Sequence, residues 1–113
     1  EIARQLGVRS IFAEKMAEVR IFRRDFDIAP GERVLIVDDI LTTGSSIRDI
    51  MSAVSKLDGI IIGIGVLIDR SPQGIDFGVP LFSCLHVPTV VYPPEECPLC
   101  AASVPLVKPG GQS

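Results

Sequence analysis

The fold is decided by one stretch of the sequence, Arg33-Val34-Leu35-Ile36-Val37-Asp38-Asp39-Ile40-Leu41-Thr42-Thr43-Gly44-Ser45-Ser46. Residues 33–37 form a continuous β-branched and aliphatic run that ends in charge, which is typical of a strand buried on both faces of a parallel sheet. From Ser45 onward apolar residues recur at helical spacing, and Gly59 stands where a helix would stop, the apolar positions being Ile47, Ile50, Met51, Val54 and Leu57. The stretch therefore predicts a strand, a loop and a helix in that order.

The rest of the chain extends this unit into an α/β domain. A second apolar run, Ile60 to Ile68, predicts another buried strand and completes a βαβ unit with a right-handed crossover and a parallel central sheet. Residues 2–6 are predicted to be the end of a helix that closes at Gly7. We also expect a short strand at 10–14, a loop at 15–33 with a hairpin around 19–22, one or two short strands within 77–91, and an irregular tail from residue 93.

Composition narrows the classes of function. The 113 residues fit one domain over 1–113, with 47% hydrophobic and 22% charged residues, enough for a packed core. A net charge of −3 argues against binding of nucleic acid, which needs a basic face. The apolar run at 59–68 is about half as long as a membrane-spanning helix, and no signal peptide is evident. We therefore expect a cytoplasmic protein, with its three cysteines reduced.

The loop between the predicted strand and helix has the chemistry of a phosphate site. In open parallel sheets, ligands bind beyond the carboxyl ends of the strands, and a helix N-terminus there offers free N–H groups and the positive end of its dipole. Gly44 lets the backbone come close, and four hydroxyls add donors: Thr42, Thr43, Ser45 and Ser46. The loop predicts a cup for a phosphate.

Two carboxylates stand directly before this cup. Asp38 and Asp39 would repel a phosphate that they faced, so we expect them to accept hydrogen bonds from ribose hydroxyls, or to offset positive charge that develops on a sugar during reaction. The alternative is a hydroxyl-rich turn that merely caps a helix. Buried strands rarely end in two uncompensated acids, because desolvating each is costly. The combination favours a phosphorylated sugar as ligand.

At these residues the sequence resembles a known family. An apolar run, two acids, two apolar residues and Thr-Thr-Gly resemble the signature of type I phosphoribosyltransferases, whose fold is a Rossmann-like parallel sheet flanked by helices. No Gly-Lys-Ser/Thr follows, so the loop is not a Walker loop. Three further segments resemble a bacterial and archaeal branch of the orotate phosphoribosyltransferases: Phe12-Ala13-Glu14-Lys15, Gly65-Val66-Leu67-Ile68-Asp69-Arg70 and Tyr92-Pro93-Pro94-Glu95-Glu96-Cys97-Pro98-Leu99-Cys100.

The resemblance implies a role for each matching residue. Arg70 would hold the orotate carboxylate, for which its planar fork is suited, and Lys15 would lie near the pyrophosphate. Mg²⁺ would arrive with the diphosphate, since hard oxygen ligands suit it. Asp38 and Asp39 would be the catalytic acids. The ribose and 5′-phosphate of phosphoribosyl diphosphate would bind to Asp38, Asp39, Ile40, Leu41, Thr42, Thr43, Gly44, Ser45 and Ser46, with Thr42 also touching orotate.

The sequence departs from the family pattern in several places. Many relatives have Arg where this chain has Glu14, and the family's mobile loop usually carries a Lys and a His, whereas the one histidine here is His86. Arg20, Arg23 or Arg24 are candidates to neutralise the leaving pyrophosphate. The segments that the family places earlier, its hood and its glycine-containing pyrophosphate loop, do not occur within the chain, which looks like a C-terminal portion that does not complete catalysis by itself.

Three smaller interpretations remain. Cys97-x-x-Cys100 allows a zinc site, but only Cys84 and His86 are nearby candidates for further ligands. A redox role is weaker, since the pair lies in a Pro-rich tail and not at a helix start. His86 lies in an apolar stretch and is expected to be a core or edge residue and not a catalytic one.

We therefore expect an enzyme that joins orotate and phosphoribosyl diphosphate to give orotidine 5′-monophosphate and pyrophosphate, acting as a homodimer by resemblance. Two alternatives stay open: a phosphoribosyltransferase for another base, such as a purine, and a non-catalytic module that senses phosphoribosyl diphosphate. Fusion to a decarboxylase is a further open question.

Overall fold

A computed structural model describes residues 1–16, 19–22, 26–107 and 109–110. In chain order its elements are α1 (Ile2–Leu6), β1 (Ala13–Met16), β2 (Val19–Phe22), β3 (Arg33–Leu41), α2 (Ser45–Lys56), β4 (Ile60–Asp69), β5 (Leu81–His86) and α3 (Pro98–Ala101). Within the described part of the chain, no helix is long and apolar enough to span a membrane.

The central sheet has three parallel strands in the order β3-β4-β5. Its register pairs Leu41 with Asp69 and Asp69 with His86, so the carboxyl ends of all three strands meet at one edge. The predicted βαβ unit, its parallel pairing and the α/β fold class are confirmed. Strand β4 ends one residue later than predicted, and α2 begins at Ser45 as predicted.

The core lies between this sheet and α2. Ile36, Ile64 and Val66 point inward from the strands and are almost fully buried, and they pack in one cluster with Ile47 of α2 and with Leu41. The opposite face is exposed in this chain, with Leu35 at 42% and Val37 at 44% of their full accessibility. Side chains of a strand alternate between faces, and α2 covers one of them. The prediction that residues 33–37 are buried on both faces is therefore wrong for this chain.

Strands β1 and β2 form a separate antiparallel hairpin, which confirms the predicted hairpin around 19–22. The strand predicted at 10–14 instead begins at Ala13, because its partner β2 is only four residues long and pairing stops at Ala13 opposite Phe22. Before it, the Phe12 ring packs edge-on against Phe26 at 4.8 Å. The hairpin places Lys15 opposite Arg20.

Near the ends of the chain, the predicted helix end and outer strand are confirmed, and the tail differs from the prediction. Helix α1 closes as expected at Gly7, whose φ of 65° is left-handed and whose N–H bonds back to the last turn. One strand, β5, forms within 77–91. The tail contains a four-residue helix, α3, that was not predicted and that begins with Pro98 in its first turn.

Candidate functional site

The site lies where the carboxyl ends of β3 and β4 meet. The backbone N–H of Arg70 donates to the carbonyl oxygen of Leu41 at 2.8 Å, which fastens the residue after β4 to the last residue of β3. The loop 42–44 and the loop that starts at Arg70 therefore leave the sheet side by side. Two concave surfaces open on this edge.

The smaller surface is a cup at the start of α2. It has a volume of about 30 Å³ and is lined by Asp38, Ile40, Leu41, Thr42, Thr43, Gly44, Ser45, Ser46 and Ile47. Among the described residues, no group accepts a hydrogen bond from the backbone N–H of Ser46 or Ile47. The Ser45 N–H makes only a long contact of 3.4 Å to the Thr43 hydroxyl. Unpaired amides at a helix N-terminus suit an anion.

Gly44 is required at the rim of the cup for two reasons. Its φ of 82° is left-handed, and a Cβ placed on it would lie 2.9 Å from Cζ of Phe77 and 3.1 Å from Cδ1 of Ile75. Phe77 and Ile75 thus pack directly against the backbone of the loop. Sequence reasoning identified the glycine but missed these two packing residues, because nothing local in 75–77 points to the loop.

The two acids lie just behind the cup and hold its entry strand. Oδ1 of Asp38 accepts from the N–H of Asp39 at 2.9 Å, and Oδ1 of Asp39 accepts from the N–H of Ile40 at 2.7 Å. The hydrogen bond from the Ile40 amide and, to a smaller extent, a side-chain interaction with Asp38 hold the pKa of Asp39 below its usual range. Within the described ranges neither acid forms an ion pair. Asp39 therefore stays charged, and each acid has a second carboxyl oxygen that no backbone N–H occupies.

One basic residue of the hairpin, Arg20, contacts the cup. Nη2 of Arg20 donates to Oγ of Ser46 at 3.2 Å. Lys15 stands directly opposite Arg20 in the hairpin, and two like charges in that position repel. An anion between the hairpin and the cup would relieve this repulsion. The other two candidates of the loop, Arg23 and Arg24, lie outside the described residues.

The larger surface is a cleft of about 730 Å³ beside the cup. Its lining brings together the two residues predicted to contact orotate, Thr42 and Arg70, with Thr43, Ser71, Pro72, Gln73, Gly74, Ile75, Thr89 and Val91. Arg70 is exposed, and its Nε donates to the hydroxyl of Thr89 at 2.9 Å. Sequence reasoning missed Thr89, which is nineteen residues away along the chain.

A buried acid holds the start of the Arg70 loop. Asp69 is only 6% exposed, and its Oδ1 accepts from both the N–H and the hydroxyl of Ser71. Burial raises the pKa of Asp69, but the two bonds from Ser71 and the electrostatic interaction with His86 together outweigh it, so the pKa lies below its usual value. Nε2 of His86 lies 2.9 Å from the carbonyl oxygen of Ser71. His86 ends an outer strand of the described sheet, as expected of an edge histidine.

The cysteine pair differs from expectation in one respect. Cys97 is the N-cap of α3, so the argument that the pair does not stand at a helix start is wrong. Hydrogen bonds from the amide and then the thiol of Cys100 lower the pKa of Cys97, and donating that bond raises the pKa of Cys100. Among the residues described by the structure, no cluster of three or more His, Cys, Asp or Glu side chains is arranged to hold a metal.

Comparison with known proteins gives consistent findings. Residues 3–77 match the model of the phosphoribosyl transferase domain. The chain is 49% identical over 112 residues to an orotate phosphoribosyltransferase of Caldanaerobacter subterraneus subsp. tengcongensis and 50% identical to that of Pelotomaculum thermopropionicum. Each alignment covers 99% of this chain and 59% of the relative, so the chain spans little more than half the length of these relatives.

A solved structure shares the fold. The adenine phosphoribosyltransferase of Thermoanaerobacter pseudethanolicus superposes with a TM-score of 0.57 at 24% sequence identity, and the match covers 75% of this chain and 60% of that one.

Proposed function

This chain belongs to the phosphoribosyl transferase domain family, and from that premise we propose that the whole protein transfers the phosphoribosyl group of phosphoribosyl diphosphate to orotate. The products are orotidine 5′-monophosphate and pyrophosphate, so the reaction belongs to pyrimidine biosynthesis. One observation carries the proposal: the unpaired amides at the start of α2 and the exposed guanidinium of Arg70 open on the same edge, fastened together by the bond from Arg70 N–H to Leu41 O.

The cup takes the 5′-phosphate of the sugar. The N–H groups of Ser46 and Ile47 and the hydroxyl of Ser45 are donors, the Thr43 hydroxyl donates to Oγ of Ser45, and the α2 dipole adds positive potential. Gly44 lets the loop backbone pack against Phe77 and Ile75, where a side chain would not fit. The backbone of Ile40, Leu41 and Thr42 belongs to the same phosphate-binding segment. Lys15 on the hairpin neutralises part of the charge of the pyrophosphate.

The acids take the ribose. In Asp38 and in Asp39, one carboxyl oxygen accepts a hydrogen bond from the next backbone N–H, and the other oxygen accepts a hydrogen bond from a ribose hydroxyl. Their oxygens also fit Mg²⁺ bound with the diphosphate, since carboxylate oxygens are hard ligands and neither acid forms an ion pair among the described residues. When bound, the ion would supply positive charge that offsets the charge of the departing diphosphate.

The cleft takes orotate. The guanidinium of Arg70 pairs with the orotate carboxylate, a group that purine and uracil substrates lack. Thr42 lies in the same lining and contacts the base. Carboxylate recognition thus distinguishes orotate from other bases.

The chemistry exchanges one bond at C1 of the ribose for another. The bond from C1 to the diphosphate oxygen breaks and its electron pair leaves with pyrophosphate. A ring nitrogen of orotate donates the pair that forms the new bond, and the proton of that nitrogen passes to the departing pyrophosphate. Positive charge develops on the sugar in between. Asp38 and Asp39 offset that charge from a position fixed before reaction, which is the electrostatic contribution expected of such groups.

The setting of the enzyme is also part of the proposal. We place it in the cytoplasm as a homodimer, with a mobile loop closing over the reacting centre to exclude water. Arg20 already contacts Ser46 at the cup and belongs to the hairpin that would contribute to closure.

Steady-state assays of the full-length protein test the proposal. With phosphoribosyl diphosphate and Mg²⁺ present, orotate should be consumed and pyrophosphate released in equal amounts, while adenine, hypoxanthine and uracil should not react. Turnover with a purine would show that the substrate is another base and not orotate. Binding of the diphosphate without turnover of any base would instead identify a sensor.

Variants of Arg70 sharpen the assignment. Arg70→Ala should lose orotate binding while keeping binding of the diphosphate, and Arg70→Lys should restore little, since an ammonium cannot form the two-pronged contact. Arg33→Ala is the matched control, because Arg33 begins β3 at the opposite end of the sheet. Unchanged orotate affinity in Arg70→Ala would contradict the assignment.

A further inference from the structure

Thr89 is tied to Arg70 by both backbone and side chain. The N–H of Thr89 donates to the carbonyl oxygen of Arg70 at 3.2 Å, just after Val87 N–H donates to Asp69 O at 2.8 Å. The pairing of β4 with β5 thus continues past His86, the last residue of β5. These backbone hydrogen bonds fix the position of Thr89 relative to Arg70 independently of the two side chains.

The side-chain bond between them has a defined direction. The Nε–H of Arg70 can only donate, so the Thr89 hydroxyl oxygen accepts at 2.9 Å. The hydroxyl hydrogen points elsewhere, toward the carbonyl oxygen of Val87 at 3.3 Å. Thr89 is half-buried, whereas Arg70 is exposed. The hydroxyl is therefore held by the protein and holds the more mobile arginine in turn.

This bond decides which edge of the guanidinium remains for a ligand. An arginine can grip a carboxylate with Nε and one Nη, or with its two Nη groups. Nε of Arg70 is occupied by Thr89, and among the described residues no group accepts from its Nη atoms. Both residues line the cleft that contains Thr42. The arginine thus presents its two Nη groups as a fork.

We infer that Thr89 is a positioning residue for substrate specificity: its hydroxyl holds Arg70 so that the Nη fork meets the carboxylate of the base. The inference rests on the proposed function, since it names how the same cleft selects an acidic base. Ordering a long side chain before binding removes an entropy cost that the substrate would otherwise bear, an effect worth about two- to tenfold in affinity.

The test compares two substitutions in the full-length protein. Thr89→Val keeps the shape and removes the hydroxyl, and Thr89→Ser keeps the hydroxyl. In Thr89→Val the KM for orotate should rise about three- to tenfold, with the KM for phosphoribosyl diphosphate unchanged and kcat changed less than twofold. In Thr89→Ser the KM for orotate should return to within twofold of the unsubstituted protein.

The outcomes separate this inference from the proposed function. If the unsubstituted protein does not convert orotate, the proposed function fails first. If it converts orotate and Thr89→Val has the same KM for orotate, the inference alone is overturned. A parallel rise in both KM values, or no recovery in Thr89→Ser, would assign Thr89 a merely structural part and would also overturn it.

Discussion

Replacing Gly44 with alanine tests how the phosphate cup is built. The substitution forces an L residue to a φ of 82° and places a Cβ 2.9 Å from the Phe77 ring. The left-handed conformation costs roughly 1–2 kcal/mol. The steric clash of the new Cβ with the Phe77 ring costs roughly a further 1–3 kcal/mol. Reduced freedom of the unfolded chain returns about 0.4–1 kcal/mol. We expect a net loss of about 3 kcal/mol in the free energy of unfolding.

Gly31→Ala is the matched control for this experiment. Gly31 has a similar φ of 79°, but a Cβ there would meet no atom within 4 Å. Its substitution should therefore show the backbone cost alone, about 1 kcal/mol after the same correction. The difference between the two variants measures the contact of the loop with Phe77 and Ile75.

Urea unfolding followed by circular dichroism measures both losses, and calorimetric titration with ribose 5-phosphate measures the cup directly. Gly44→Ala should weaken this ligand at least tenfold, whereas Gly31→Ala should leave its affinity unchanged. In a Phe77→Leu background, which removes the ring atoms that clash, the extra cost of Gly44→Ala should fall, and the contact with Ile75 accounts for what remains. The reasoning is refuted if Gly44→Ala costs no more than Gly31→Ala, or if its extra cost is undiminished in that background.

Three further outcomes are expected. Asp69→Asn should lower the free energy of unfolding at neutral pH by about 1 kcal/mol through loss of charge-assisted bonds. Because the folded pKa of Asp69 is lowered, the contribution of Asp69 to stability is present above the unfolded pKa and is lost as pH falls through the folded pKa. Melting curves of the two proteins should therefore converge below about pH 4. Because its pKa is lowered, Cys97 should be alkylated at lower pH than an ordinary thiol. Mass spectrometry should find this alkylation slowed in Cys100→Ala but not in Cys100→Ser. Equal rates in the unsubstituted protein and in both variants would contradict the assigned hydrogen bond. Arg48 lies 5.2 Å from the centre of the Phe77 ring, so a double-mutant cycle of Arg48→Gln with Phe77→Leu should give a coupling of about 0.5–1 kcal/mol, and no coupling would exclude the contact.

The elements that the sequence predicts well are those with strong local patterns. The apolar runs of β3 and β4 and the helical spacing from Ser45 identify the βαβ unit, and Gly7 marks the end of α1. The acid pair and Thr-Thr-Gly are consecutive along the chain, so their meeting at one helix start follows from sequence order. These features need no knowledge of distant contacts.

Long-range contacts account for what the sequence did not predict. Thr89 reaches Arg70, and Phe77 reaches Gly44, through strand pairing and loop packing that leave no local signal. The exposed face of β3 is a similar case, since an aliphatic run indicates burial but does not say which neighbour covers it. The helix α3 is too short for periodicity to reveal.

The most direct measurement is a crystal structure of the full-length protein with phosphoribosyl diphosphate and Mg²⁺. The 5′-phosphate should lie within hydrogen-bond distance of the backbone N–H groups of Ser46 and Ile47, with the ribose hydroxyls on Asp38 and Asp39. A phosphate bound elsewhere, with those two amides and both carboxylates left without ligand contacts, would contradict the account.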